Sequence, residues 1–223
     1  LQMVVCGGNQ DRAARINLPA ALLGEGRIHL VGAFPRCEGG PDMERLLIPL
    51  KGRDCALAAW VAAVPYCRPG DLGVGGLAGL YEQVMEEGSR RAGDLPLVVT
   101  GHLHVAGGDM SEQSERRITV GGEEAEAACL FDSRAAYAAL GHLHRPQRIQ
   151  GDTIIRYAGS PFPLSATERN YRHSITVLDL EGKAAVWREE MIPRTVPFLV
   201  LPENGPRPLD EVEALLSSLT LDE

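Results

Sequence analysis

The GHLH of the stretch VVTGHLHVAGG (Val98–Gly108) returns in YAALGHLHRPQ (Tyr137–Gln147), and four of the six histidines of the chain sit in the two GHLH tetrapeptides. In each case a short apolar run leads into glycine and then into a His-Leu-His triplet. An apolar run of four to six residues that stops at glycine reads as a buried strand, and the histidines then fall at the strand end. Two such strand ends could form one site, two sites, or unrelated turns. If the triplet stays extended, His142 and His144 point to the same side, roughly 6–7 Å apart, a spacing that suits ligands of neighbouring metal ions. Neutral imidazole is a good ligand for first-row divalent ions, but a lone His-x-His is a weak signal.

Working outward, the α/β rhythm extends in both directions. Gln2–Cys6 is a short apolar run closed by Gly7-Gly8-Asn9 and followed by a helix-like stretch, Arg12–Leu23. Arg27–Gly32, Arg45–Leu50 and Ala58–Pro65 read as strands, and Leu77–Arg91 carries apolar residues at helical spacing with arginines at its end. Arg117–Val120, Thr153–Ala158, Ser174–Leu180 and Ala184–Glu189 are further strand candidates, the last two joined by Glu181-Gly182-Lys183. The polar segment Val105–Glu126 is long enough to be a functional loop or plain surface. Beyond Met191 the prolines at 193, 197, 202, 206 and 208 mark a linker-like stretch with one short strand candidate, Phe198–Leu201. An amphipathic helix is expected over Leu209–Leu219, with acids in its first turn.

The totals set bounds. A chain of 223 residues with 44% apolar and 23% charged residues can bury one large core and is ordinary for a globular protein. The longest apolar run, Cys55–Tyr66, is interrupted by Pro65 and is too short to cross a bilayer, so no membrane association is expected. Five cysteines without a CxxC pair point to reduced thiols and a cytoplasmic setting. No signal peptide is visible, and the opening LQMVVC reads as mid-strand, so the chain is expected to be a fragment. A net charge of −8 argues against a uniformly basic nucleic-acid binder. Yet Arg134–His173 holds six arginines against Asp152 and Glu168, either a phosphate-binding segment or a solvated face.

Read in order, Gly8-Asn9-Gln10-Asp11, Thr100-Gly101-His102 and Ala139–Arg145 (ALGHLHR) resemble the later motifs of the calcineurin-like metallophosphoesterases, GNHD, GH and GHxH. SERRITVGG (Ser114–Gly122), YAALGHLHRPQRI (Tyr137–Ile149) and IRYAGSPFPLSATE (Ile155–Glu168) are more specifically similar to the SbcD-type, or Mre-type, DNA nucleases. The resemblance runs from residue 1 to about 192. It implies an α/β fold of the four-layer αββα type, with a nuclease domain over 1–192 and the start of a small DNA-binding capping domain over 193–223.

The resemblance also implies a site. Asn9, His102 and His142 would ligate one divalent ion and His144 another, with Mn²⁺ the usual metal; Asp11 and His104 would be supporting neighbours. Arg145 and Ser160 would meet the DNA backbone at the rim, a contact that positions without reading sequence. Gln10 stands where the family has a histidine that can protonate the leaving oxygen, and glutamine has no proton to give at neutral pH. The family's opening motifs, DxH and GD, belong upstream of GNHD, so the chain is expected to be N-terminally incomplete, weak in metal binding and of doubtful activity. The implied function is metal-dependent exonuclease and endonuclease action on DNA ends in recombination and repair. The implied partners are an SbcC-type SMC-like ATPase and a second nuclease subunit, in the bacterial cytoplasm near the nucleoid. Two other readings stand beside it: a catalytically silent DNA- or ATPase-binding module, and a phosphodiesterase for small molecules.

Overall fold

The computed structural model of the protein describes residues 1–19, 23, 27–111, 115, 125–194, 196 and 198–219. Its centre is a six-stranded mixed sheet. In chain order the strands are β1 Met3–Cys6, β2 Ile28–Val31, β3 Arg36–Cys37, β4 Gly40–Pro41, β5 Leu47–Lys51, β6 Leu57–Ala62, β7 Leu97–His102, β8 Tyr137–Gly141, β9 Gln147–Ile149, β10 Ile155–Tyr157, β11 Ser174–Glu181 and β12 Ala184–Met191. The central sheet runs β5-β6-β7-β8-β10-β9. Its four inner strands are parallel, and an antiparallel neighbour closes each edge.

The period-2 alternation of these strands sorts their side chains into two cores. Leu47, Ala62, Leu97, Val99, Ala138 and Leu140 face one side, while Ile48, Val61, Val98 and Tyr137 face the other. The first face receives the helix Gly76–Ala92, whose Leu77, Leu80, Tyr81, Val84 and Met85 form one buried stripe. Burying each such side chain contributes about 1.5–3 kcal/mol. On the second face lie the parallel ladder β1-β2 and the antiparallel ladder β11-β12, through Val4, Cys6, Val31, Leu178, Leu180 and Trp187. The second sheet of the expected sandwich is therefore two separate ladders among the described residues. The helix Ala13–Asn17 packs on β2, with Asn17 accepting from the Gly32 amide at 2.8 Å.

Several element boundaries move from those expected. Arg45 belongs to the short helix Met43–Leu46, because the Asp42 carboxylate caps it by accepting from the Arg45 amide. Phe198–Leu201 is not a strand: no neighbour among the described residues offers it a ladder, and the flanking prolines lack amide donors. The C-terminal helix spans Leu209–Ser217 and buries none of its residues. Arg117–Val120 and most of Ser114–Gly122 lie outside the described residues, as do 20–22 of the first expected helix. Among the described residues no helix is long and apolar enough to cross a membrane. All five thiols are unpaired.

Candidate metal centre

The candidate ligands arrive from the C-terminal ends of parallel strands, where open α/β sheets present their ligand sites. β1 delivers Gly7-Gly8-Asn9, β7 ends on His102, and β8 ends on Gly141 just before His142. Pairing of β7 with β8 sets His102 opposite Gly141, so the second tetrapeptide lies directly beside the first. His102 Nε2 lies 2.9 Å from Asn9 Oδ1, and the His102 and His142 rings meet edge to face at 5.4 Å. Tyr66 packs edge-on against His102 from the other side.

Glycine at two positions makes this seat possible. A Cβ on Gly8 would stand 2.6 Å from His102 Cε1, and one on Gly141 would stand 3.0 Å from His102 Nδ1. A side chain at Gly8 would force the imidazole to shift, and one at Gly141 would press on it more lightly. The GGN and GH patterns thus reflect the space an imidazole needs as well as turn formation.

Burial sets the charge state of the pair. Desolvation pulls His102 down to about 4, against a smaller upward pull from the Asp11 carboxylate. Desolvation likewise holds His142 at about 4, with His102, His104 and His144 close enough to add to the effect. Both rings are therefore neutral at physiological pH, the form that ligates metal. His142 Nε2 is buried without a hydrogen-bond partner among the described residues. An orphaned lone pair or N–H of this kind carries a desolvation cost, which a bound ligand would relieve. Two donor atoms at right angles on a metal at about 2.1 Å stand about 3 Å apart, which matches the Asn9–His102 separation. No three His, Cys, Asp or Glu side chains converge at ligating distance among the described residues. The Asn9–His102 pair is the part of the donor set whose spacing fits a shared ion.

The remaining expected residues take distinct places. Asp11 is exposed and accepts from the Gly8 amide at 2.7 Å, holding the Gly8–Asp11 turn closed. Gln10, at the tip of that turn, is exposed. His104 makes its hydrogen bond within its own loop, to the Gly108 carbonyl at 3.1 Å. His144 makes a different bond, from Nδ1 to Glu168 Oε1 at 2.8 Å. Arg145 is exposed at the rim and pairs with Asp109 at 2.8 Å. Ser160 is 5% exposed; its amide donates to the His144 carbonyl, and its hydroxyl donates to Glu168 Oε2. The arginine-rich segment is not one patch: Arg134 pairs with Glu82 and Asp132, and Arg156 is buried against Glu189 and the Trp187 ring.

Three supporting residues were not legible as such. Tyr157 is fully buried; its hydroxyl donates to the Leu103 carbonyl and accepts from the Val105 amide, clamping the loop that carries His102 and His104. Glu115 accepts from the His144 amide and, at 2.7 Å, from the Ser111 amide. Glu168 ends the SATE stretch, and its acid beside two small polar residues is the only signal the sequence offered.

A six-stranded mixed sheet with a helix on one face, strand ladders on the other and histidines at its strand ends defines a metallophosphoesterase-like α/β sandwich. No family model matches the chain. Among curated proteins, it is 43% identical to the D subunit of the SbcCD nuclease of Rhodobacter capsulatus, over 99% of this chain and 58% of that one. It is 32% identical to the proteins of the same name in Bacillus subtilis and Escherichia coli K12, over 88% and 89% of this chain and 52% of each of those. The chain thus spans between half and three-fifths of the length of these relatives. Over nearly its whole length the chain is similar to SbcD-type nuclease subunits.

Proposed function

We propose that this chain forms the nuclease domain of an SbcD-type subunit that hydrolyses DNA phosphodiesters at ends, with residues 1–192 as that domain and 193–223 opening a capping domain. The observation that carries the reading is the approach of Asn9 Oδ1 to His102 Nε2 at parallel strand ends, with the His142 ring, whose Nε2 has no hydrogen-bond partner among the described residues, packed beside His102, in a chain similar to proteins named as nuclease subunits. Asn9, His102 and His142 would hold one divalent cation and His144 a second, with Mn²⁺ as the ion. Such ions, when bound, would supply Lewis-acid stabilisation of a phosphodiester's oxygens and a lowered pKa for an attacking water.

The chain's own residues supply the rest. His102 and His142, kept neutral by burial, present nitrogen lone pairs without competition from protons. Arg145 reaches a DNA phosphate by exchanging Asp109 for it, a change that costs little because exposed ion pairs are weak. Gln10, at the exposed tip beside Asn9, hydrogen-bonds a phosphate oxygen but leaves the departing oxygen without a proton donor. The working assembly pairs two nuclease subunits with an SbcC-type SMC-like ATPase on DNA ends, in the cytoplasm by the nucleoid.

The test is digestion of linear duplex DNA by the full-length protein that contains this chain, with and without Mn²⁺. Mn²⁺-dependent cleavage that disappears on His142→Ala supports the reading. DNA binding without cleavage under any divalent ion identifies a silent module, the alternative that Gln10 favours. Competition by single phosphodiesters, with no DNA product, identifies a small-molecule enzyme. Restoring the acid with Gln10→His raises the cleavage rate by about 10²–10⁴; no gain removes the general-acid account of that position.

A further inference from the structure

Glu168 has no exposed surface and ends the 3-10 turn Ala166–Glu168, remote in sequence from every candidate ligand. A buried carboxylate is tolerated only where donors surround it. Here Oε1 takes His144 Nδ1 at 2.8 Å, and Oε2 takes the Leu164 amide at 3.0 Å and the Ser160 hydroxyl at 3.2 Å. The same loop grips His144 through its backbone, since the Ser160 amide donates to the His144 carbonyl at 2.9 Å. His144 is thus fixed at main chain and ring by one segment, Ser160–Glu168.

The chemistry of that contact is directional. A carboxylate only accepts, so the His144 proton sits on Nδ1 and the lone pair is left on Nε2. The ring's hydrogen bond is made at Nδ1. Carboxylate–imidazole–metal chains use this arrangement to orient a ligand and raise its basicity. Resting on the metal reading above, we infer that Glu168 is a positioning residue that sets the His144 ring and its tautomer for a divalent cation, with Ser160 and the Leu164 amide aligning the carboxylate. Ser160 acts through Glu168.

Glutamine at 168 keeps the size but cannot serve both sides. If its oxygen faces His144, its NH₂ meets the Leu164 N–H; if it turns over, the NH₂ faces Nδ1 and drives the ring proton to Nε2. Mn²⁺ titration of the full-length protein by calorimetry, for wild type, Glu168→Gln, His144→Ala and the double variant, tests the inference. The expected result is about 10–100-fold weaker binding of at least one Mn²⁺ in Glu168→Gln, with no further loss when it is added to His144→Ala. Wild-type affinity in Glu168→Gln, or a full additional loss in the His144→Ala background, overturns it. Nitrogen-15 NMR of the wild-type His144 ring under chelator needs no variant: protonation at Nδ1 supports the inference, and protonation at Nε2 overturns it. If the wild type binds no Mn²⁺, the metal reading falls, and the NMR result still decides what Glu168 does to the ring.

Discussion

The two GHLH tetrapeptides have one sequence and two structures. In the first, β7 carries on through Gly101 to His102, and His104 turns back to the Gly108 carbonyl of its own loop. In the second, β8 stops at Gly141, His142 adopts φ of 101°, and His144 is taken by Glu168 from a distant loop. Positive φ is rare for a residue with a Cβ and persists only where the surroundings impose it. The tetrapeptides are the same and their surroundings are not: a glycine-rich turn folds back on the first, while a buried carboxylate waits for the second. Identical motifs acquire different roles through partners remote from them.

That contrast can be strained first by acid. His102 and His142, one from each tetrapeptide, are held at about 4 against an ordinary value of 6.5. Between these values the unfolded chain binds more protons than the folded one, so stability falls as pH drops from 6.5 toward 4. The loss is on the order of 3 kcal/mol per ring at most. Thermal melts with chelator at pH 7.5, 6 and 5 should show this slope, reduced in a His102→Ala/His142→Ala double variant. A slope unchanged by both substitutions would remove burial of these rings as its cause.

The glycines offer a second comparison. A Cβ on Gly101 would meet Tyr81 Oη at 2.4 Å and Leu103 Cδ2 at 2.5 Å, whereas one on Gly141 meets only the His102 ring within 3.0–3.8 Å apart from the Gly101 carbonyl. Gly101→Ala therefore overpacks the core and costs about 1–3 kcal/mol. Gly141→Ala should disturb stability less and displace His102 more. Denaturant midpoints read the first effect and the His102 ring resonances the second; equal midpoints would contradict the distances.

The smallest effect isolates the backbone. At position 142, Gly should exceed Ala in stability by about 1–2 kcal/mol, because only glycine adopts positive φ without a Cβ clash. At position 102, inside β7, the order reverses, since glycine weakens a strand. A matched pair of Ala and Gly variants at the two positions gives opposite signs if the tetrapeptides differ as described.

Much of this was legible in the sequence. Apolar runs ending at glycine located β7 and β8, the 3-4 spacing of Leu77, Leu80, Tyr81 and Val84 located the long helix, and GGN placed Asn9 at a strand end. The alternation that set His142 and His144 on one side failed at the residue that mattered, because β8 ends at Gly141 and alternation ends with it. Ser160 read as a rim residue because GSP resembles a turn; its burial depends on Glu168 and His144, contacts between segments that no local pattern encodes. The arginine excess of 134–173 read as one basic segment, but Glu82 and Glu189 from elsewhere in the chain engage Arg134 and Arg156.

The central claim is that the two tetrapeptides contribute unequally to one site. Mn²⁺ stoichiometry and affinity of the full-length protein, measured side by side for His104→Ala and His144→Ala, test it most directly. His144→Ala should lose one Mn²⁺ or weaken it by at least about 10²-fold, beyond what loss of a ligand's hydrogen-bond partner usually costs, while His104→Ala keeps wild-type stoichiometry. Equal losses in the two variants, or a greater loss in His104→Ala, would contradict it.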